Sequence, residues 1–246
     1  MKPFAVIVGT LIGLVALYFM AYPTTSYRFR ITINVDTPQG LKSGSSVMQV
    51  RDWRFPRWMT LGESSGSSSL MGDAVFVDLG PDRDGKPRNV VALLALGKRG
   101  ENLDFYLLPG MLFQSLWKQR LNLPNFRGQD WELSRLPPGT RAELRGGQIP
   151  TLVTFSNPAD PSSARALLPE GFEQVFGPGY RLANVVIEIV EPGVWPLSIL
   201  GLTGETVTSG IEKSLPWWGG PDRPAAIALR AAGLTTGYPE YAFKRS

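Results

Sequence analysis

Ser115-Leu116-Trp117-Lys118 and Lys42-Ser43-Gly44 are the residues of this chain whose types and spacing come nearest to covalent chemistry. A serine three residues before a lysine shares a helix face with it, and an amine can activate a hydroxyl. Acyl-transfer enzymes built on such a pair need the Lys-Ser/Thr-Gly element after the serine, with a Ser-x-Asn between. Here the order is reversed and the middle element is missing. A Ser-Lys hydrolase therefore stands as a remote alternative. Asp78, Asp82, Asp84 and Gly85 match part of a calcium loop, but Gly80 breaks the alternation and no bidentate glutamate follows. They read as turn residues. The carboxylate pairs Glu188/Glu191, Glu170/Glu173 and Asp82/Asp84 lack the context of a glycosidase pair and read as solvent-facing charges.

Two zeros narrow the chemistry further. The chain has no histidine and no cysteine. Ser-His-Asp and Cys-His catalysis, thiol chemistry and most zinc sites are thereby excluded. No disulfide framework and no lipid on cysteine is available either. The expectation is no catalytic, cofactor-binding or metal-ligating set. Net charge is only +4, with basic residues scattered among acids, so no nucleic-acid platform is expected.

Aromatic and arginine residues carry the binding hypothesis. In DWRFPRW, Trp53, Arg54, Phe55, Arg57 and Trp58 lie close together beside Arg51, and Trp217 and Trp218 form a second set with Trp195. Trp and Arg dominate binding hot spots, which suits a protein partner or a membrane surface. The alternative is that most of these rings close the core.

The elements that must position these groups are mostly strands. Tyr27–Val35 alternates, Thr37-Pro38-Gln39-Gly40 turns the chain, and Ser45–Val50 returns. Glu63–Ser69 reads as a flexible loop from its serine content. Asp73–Leu79 and Asn89–Leu96 are strong strands joined by a hairpin-like PDRDGKP. Further strands are expected at Arg141–Leu144, Thr151–Phe155 and Arg181–Val190. Helical spacing is found over Leu107–Leu121, from Pro169 to Phe176, within Val207–Trp218 and over Ala225–Ala232. The fold class expected is α+β: a transmembrane helix, then a β-rich ectodomain with a few short helices.

Phe4–Tyr22 is an uncharged, nearly unbroken apolar run. Nineteen residues rise about 28 Å as a helix, close to a bilayer core. The expected organisation is residues 1–24 as a transmembrane anchor and 25–246 as one periplasmic unit, its tail after 219 peripheral. A cleaved signal peptide is the competing reading, but bulky Phe19, Met20 and Tyr22 replace a small-residue cleavage pattern. Arg28 and Arg30 after the span oppose the expected C-terminal-outside orientation. Gly9 and Gly13 form a G-x-x-x-G, a candidate helix–helix contact.

Three segments carry a family resemblance: TPQGLKSGSSVMQV (37–50), FGPGYRLANVVIEI (176–189) and VTSGIEKSLPWW (207–218). They resemble a family of N-terminally anchored alphaproteobacterial proteins of sphingomonad and rhizobial type. The resemblance implies an inner-membrane, periplasm-facing protein and no particular activity. DWRFPRW and the tail after Trp218 fall outside it. GLKSGSSV also resembles the Gly-rich turn of MCE lipid-transport domains, against which stands an ordinary turn needing positive φ. The function expected is a non-enzymatic accessory or binding subunit docking to an envelope complex, with partners in membrane and protein. The alternative is a lipid- or glycan-handling module, lipid being its ligand.

Overall fold

The computed structural model describes residues 2–22, 24–55, 66–123, 128–194, 197, 201–221 and 223–245. Its architecture follows from one strand. β5 (Pro87–Leu96) is apolar at almost every position because both its faces are covered. Val90, Ala92, Leu94 and Leu96 point into one core, and Val91, Leu93 and Ala95 into another. A half-exposed strand would alternate with polar residues; a central one reads as an unbroken apolar run.

β5 belongs to a four-stranded antiparallel sheet, ordered β4 (Val75–Pro81), β5, β7 (Pro150–Phe155), β8 (Ala164–Leu167). The second sheet has the order β10 (Lys244–Arg245), β3 (Gly66–Asp73), β2 (Gly40–Arg54), β1 (Thr25–Thr37), β9 (Arg181–Val190), β6 (Arg141–Glu143). β1 is central and alternates strictly over its middle. Tyr27, Phe29, Ile31, Ile33 and Val35 are buried against the smaller sheet, with Met48, Ile187 and Val77 in the same cluster. Arg30, Asn34 and Asp36 take the opposite face, where they meet Glu188, Asn184 and Arg181. The β-rich α+β reading with few short helices therefore holds, as two antiparallel sheets.

The membrane-spanning part of the expectation is corrected. Helix α1 runs Lys2–Ala21, but no helix among the described residues is long and apolar enough to cross a membrane. The side chains of 2–6, 15 and 19 lie outside the described residues, as do Met1 and Pro23. What α1 does present is exposed apolar surface: Ile7, Leu11, Ile12, Leu14, Leu17 and Met20 are all more than half exposed. A Cβ added at Gly9 or Gly13 would meet nothing within 4 Å among the described residues.

Three local expectations are also corrected. Gly66–Ser69 is not a loop but the start of β3, in register opposite Arg54–Arg51. Its low strand propensity is overridden by that ladder and by Ser68 Oγ donating to Asp52 at 3.0 Å. Residues 63–65 lie outside the described residues. Leu107–Leu121 is not one helix but α2 (Leu108–Leu112) and α3 (Gln114–Lys118), separated at buried Phe113, whose ψ of 20° leaves the helical well. The tail after 219 is not peripheral. α6 (Pro224–Ala231) buries Ala225, Ala228 and Leu229, and Phe243 is fully buried. With Ile211, Leu215 and Trp217 these residues form a third layer over the outer face of the smaller sheet.

Candidate functional site

Tyr27, Asp52 and Asp130 come together where β1 begins and β2 ends. Tyr27, buried on β1, donates its hydroxyl to Asp130 Oδ1 at 3.5 Å. Asp130 lies on the five-residue helix α4 (Gln129–Leu133), packed against β1. Burial, and then the negative charge of Asp52, push the Asp130 carboxyl above its ordinary range. The Tyr27 hydroxyl is driven well above its usual value, chiefly by burial and then by Asp130. Asp52 on β2 accepts from Ser68 Oγ and lies 3.8 Å from Arg54 Nε. Half-buried acids and a phenol thus share one corner with a single described guanidinium.

Glycine shapes that corner. Gly128 has a φ of 113°, and a Cβ there would overlap the Arg54 guanidinium. The bare backbone lets Arg54 lie over the start of α4, where its charge favours the ionised form of Asp130. Beyond it, Glu132 is 3% exposed and pairs with Arg120 at 2.6 Å, closing the layer of short helices.

Of the residues singled out for binding, Trp53, Arg54 and Phe55 sit at this end of β2. Trp53 is half-buried, Phe55 exposed, and Arg54 engaged inward as described. Arg57 and Trp58 lie outside the described residues. Trp217 and Trp218 are not brought to this corner. Trp217 is 9% exposed and packs edge-on to Phe243 at 5.4 Å and against Phe155 at 5.9 Å. Trp218 is half-buried beside it, 5.9 Å from Phe243. That pair serves the third layer.

The remaining motifs resolve into structure. Ser115 and Lys118 are both exposed on α3. Lys42 and Ser43 lie on β2, with Ser43 Oγ donating to Asn34 at 2.6 Å. Asp78 accepts from the Gly80 amide, and Asp82 accepts from the amides of Asp84 and Lys86. Those carboxylates hold the β4–β5 connection. No group of three metal-ligating side chains occurs among the described residues.

A second feature had no signal in the sequence. Residues from the end of β5, the start of β7 and the end of β8 enclose an aliphatic cleft of about 440 Å³. Ile149, Pro150, Leu152, Leu167, Leu168 and Pro169 supply its apolar wall, and Lys98 and Glu170 are the charged residues among its described lining. This volume lies within the range of small-ligand sites. Its residues are scattered from 97 to 170, so only the antiparallel register assembles them.

No family model, curated protein or solved structure matches this chain.

Proposed function

We propose that the protein is a non-enzymatic binding or accessory subunit of an envelope assembly, held to its partner through α1 and presenting the two-sheet body as its binding part. The exposure of α1 carries this reading. At 100° per residue, Ile7, Leu11, Ile12, Leu14, Leu17 and Met20 are spread around the helix rather than along one stripe. A helix apolar on every side needs apolar surroundings on every side. Covering one such side chain is worth about 2 kcal/mol, so α1 left in water is costly. The reading includes a periplasmic location, drawn from the resemblance of residues 37–50, 176–189 and 207–218.

The test is site-specific photocrosslinking from Leu11 and Leu17 in native membranes. A defined protein adduct that disappears in an Ile7→Ser, Leu11→Ser, Leu14→Ser variant is the expected result. Lipid adducts alone from both positions, or no adduct, would overturn it. The alternative of a lipid- or glycan-handling module has the aliphatic cleft in its favour.

A further inference from the structure

We propose that the open edge of β8 and the adjoining cleft bind an extended peptide segment of a protein partner, with one large apolar side chain next to an acidic group. This rests on the binding-subunit reading and specifies its recognition chemistry.

The backbone of β8 supplies the first argument. Ser156 N–H donates to Ser163 C=O, so residues 156 and 163 form a hydrogen-bonded pair. The Phe155 amide and carbonyl instead turn toward β5, where both bond the Asn89 side chain. Along the register Phe155↔Ala164, Thr154↔Arg165, Val153↔Ala166, the alternation leaves the Ala166 N–H and C=O pointing off the sheet. Neither has a partner among the described residues. Ala164 beside it is buried in the cluster that includes α6, but Ala166 and Arg165 are exposed. The edge is open there and nowhere shielded by proline or a bulge, the usual means of blunting an edge.

The cleft supplies the second. Ala166 is part of its wall, and Leu168, half exposed, stands next to it. A strand added to β8 would place alternate side chains on the cleft side, where the volume admits a Leu, Met or Phe. Charge gives the third. Neither Lys98 at the rim nor Arg165 on the edge makes an ion pair or side-chain hydrogen bond among the described residues. The carboxylates of Glu170 and of Glu101, which lies against Gly97, balance the two cations around the cleft. Arg165, however, sits on the edge itself beside Ala166 and favours a carboxylate, from a side chain or a C-terminus, on a strand added there. A lipid tail would fill the apolar wall yet leave the Ala166 amide and carbonyl covered without partners, which costs free energy. A peptide backbone satisfies both.

The experiment uses the full chain in mild detergent against a displayed library of random decapeptides, followed by titration of synthetic versions of the enriched sequences. The expected result is enrichment of a large apolar residue within a few positions of an acidic group. N-methylation of alternate backbone amides should weaken binding about tenfold, the loss of one well-formed hydrogen bond. Ala166→Pro removes only the outward N–H and should weaken binding by a similar factor. Leu168→Asp should abolish it, and Lys98→Glu should weaken it most at low salt. Unchanged thermal unfolding of each variant separates lost binding from lost fold. Failure to enrich, indifference to N-methylation, or myristate binding that Leu168→Asp removes would each overturn the proposal. The α1 serine variant should bind the peptides normally, so loss of crosslinking through α1 and loss of peptide binding fail independently.

Discussion

Asp73 Oδ2 accepts the backbone N–H of Ile211 at 2.9 Å, joining the corner where β3 passes into β4 to the first turn of the third layer. The carboxylate is 1% exposed, and Lys244 pairs with Glu212 close by. Ser46 Oγ donates to the Asp73 carbonyl at 2.6 Å, so side chain and backbone of one residue connect three segments. Asp73→Ala would leave the Ile211 amide buried and unpaired, costing about 2 kcal/mol. Asp73→Asn keeps an acceptor and should cost less. Urea unfolding ranks the two, and amide exchange at Ile211 should accelerate most in the alanine variant.

Asp130 predicts a pH dependence. Its folded-state pKa is raised, by burial first and Asp52 second, so the folded chain binds this proton more readily than the unfolded one. Between the ordinary carboxyl value near 3.9 and the raised one, stability falls as pH rises. Above the raised value the penalty is fully present. Tyr27, Asp52 and Arg54 are the groups facing it. Asp130→Asn should gain on the parent most at pH 7 and lose that advantage toward pH 4. Parallel urea titrations across this range check it; a constant difference would refute the assignment.

At Gly44 the two sheets come close together. A Cβ there would overlap the Phe76 carbonyl oxygen and lie 2.9 Å from Val77 Cγ2. The nearest obstacle is backbone and cannot rotate away. Gly44→Ala should therefore destabilise by about 1–3 kcal/mol, as overpacking does, although alanine is normally the better strand residue. Thermal unfolding of the variant provides the measurement. In sequence this glycine read as part of a turn; its role is to admit β4.

Phe243 tests the third layer. It is fully buried between Trp217 and Trp218, with ring centroids 5.4 and 5.9 Å away. Phe243→Ala should cost about 3–5 kcal/mol, whereas a peripheral tail would tolerate it. Loss of near-ultraviolet tryptophan dichroism should accompany unfolding.

These sites divide by what local pattern can encode. β1, β5 and β9 were legible because period-two alternation or an unbroken apolar run is written into ten or more consecutive residues. β3 was not, because Gly-Ser-Ser-Ser takes its conformation from Arg51–Arg54 opposite rather than from its own residues. The corner of Tyr27, Asp52 and Asp130 draws on positions 25 and 78 residues apart, a spacing with no local signature. Trp217 looked like Trp53 in composition; burial alone tells them apart. The anchor expectation is not met, since no helix among the described residues is long and apolar enough to cross a membrane.

The position of β1 has a mechanical consequence. It begins four residues after α1 ends and lies between β2 and β9, paired to both along most of its length. A pull on α1 along β1 is thus opposed by two ladders loaded in parallel and in shear, rather than unzipped one bond at a time. A body tethered at an edge strand would peel open under tension; this one should resist until a whole central strand slides.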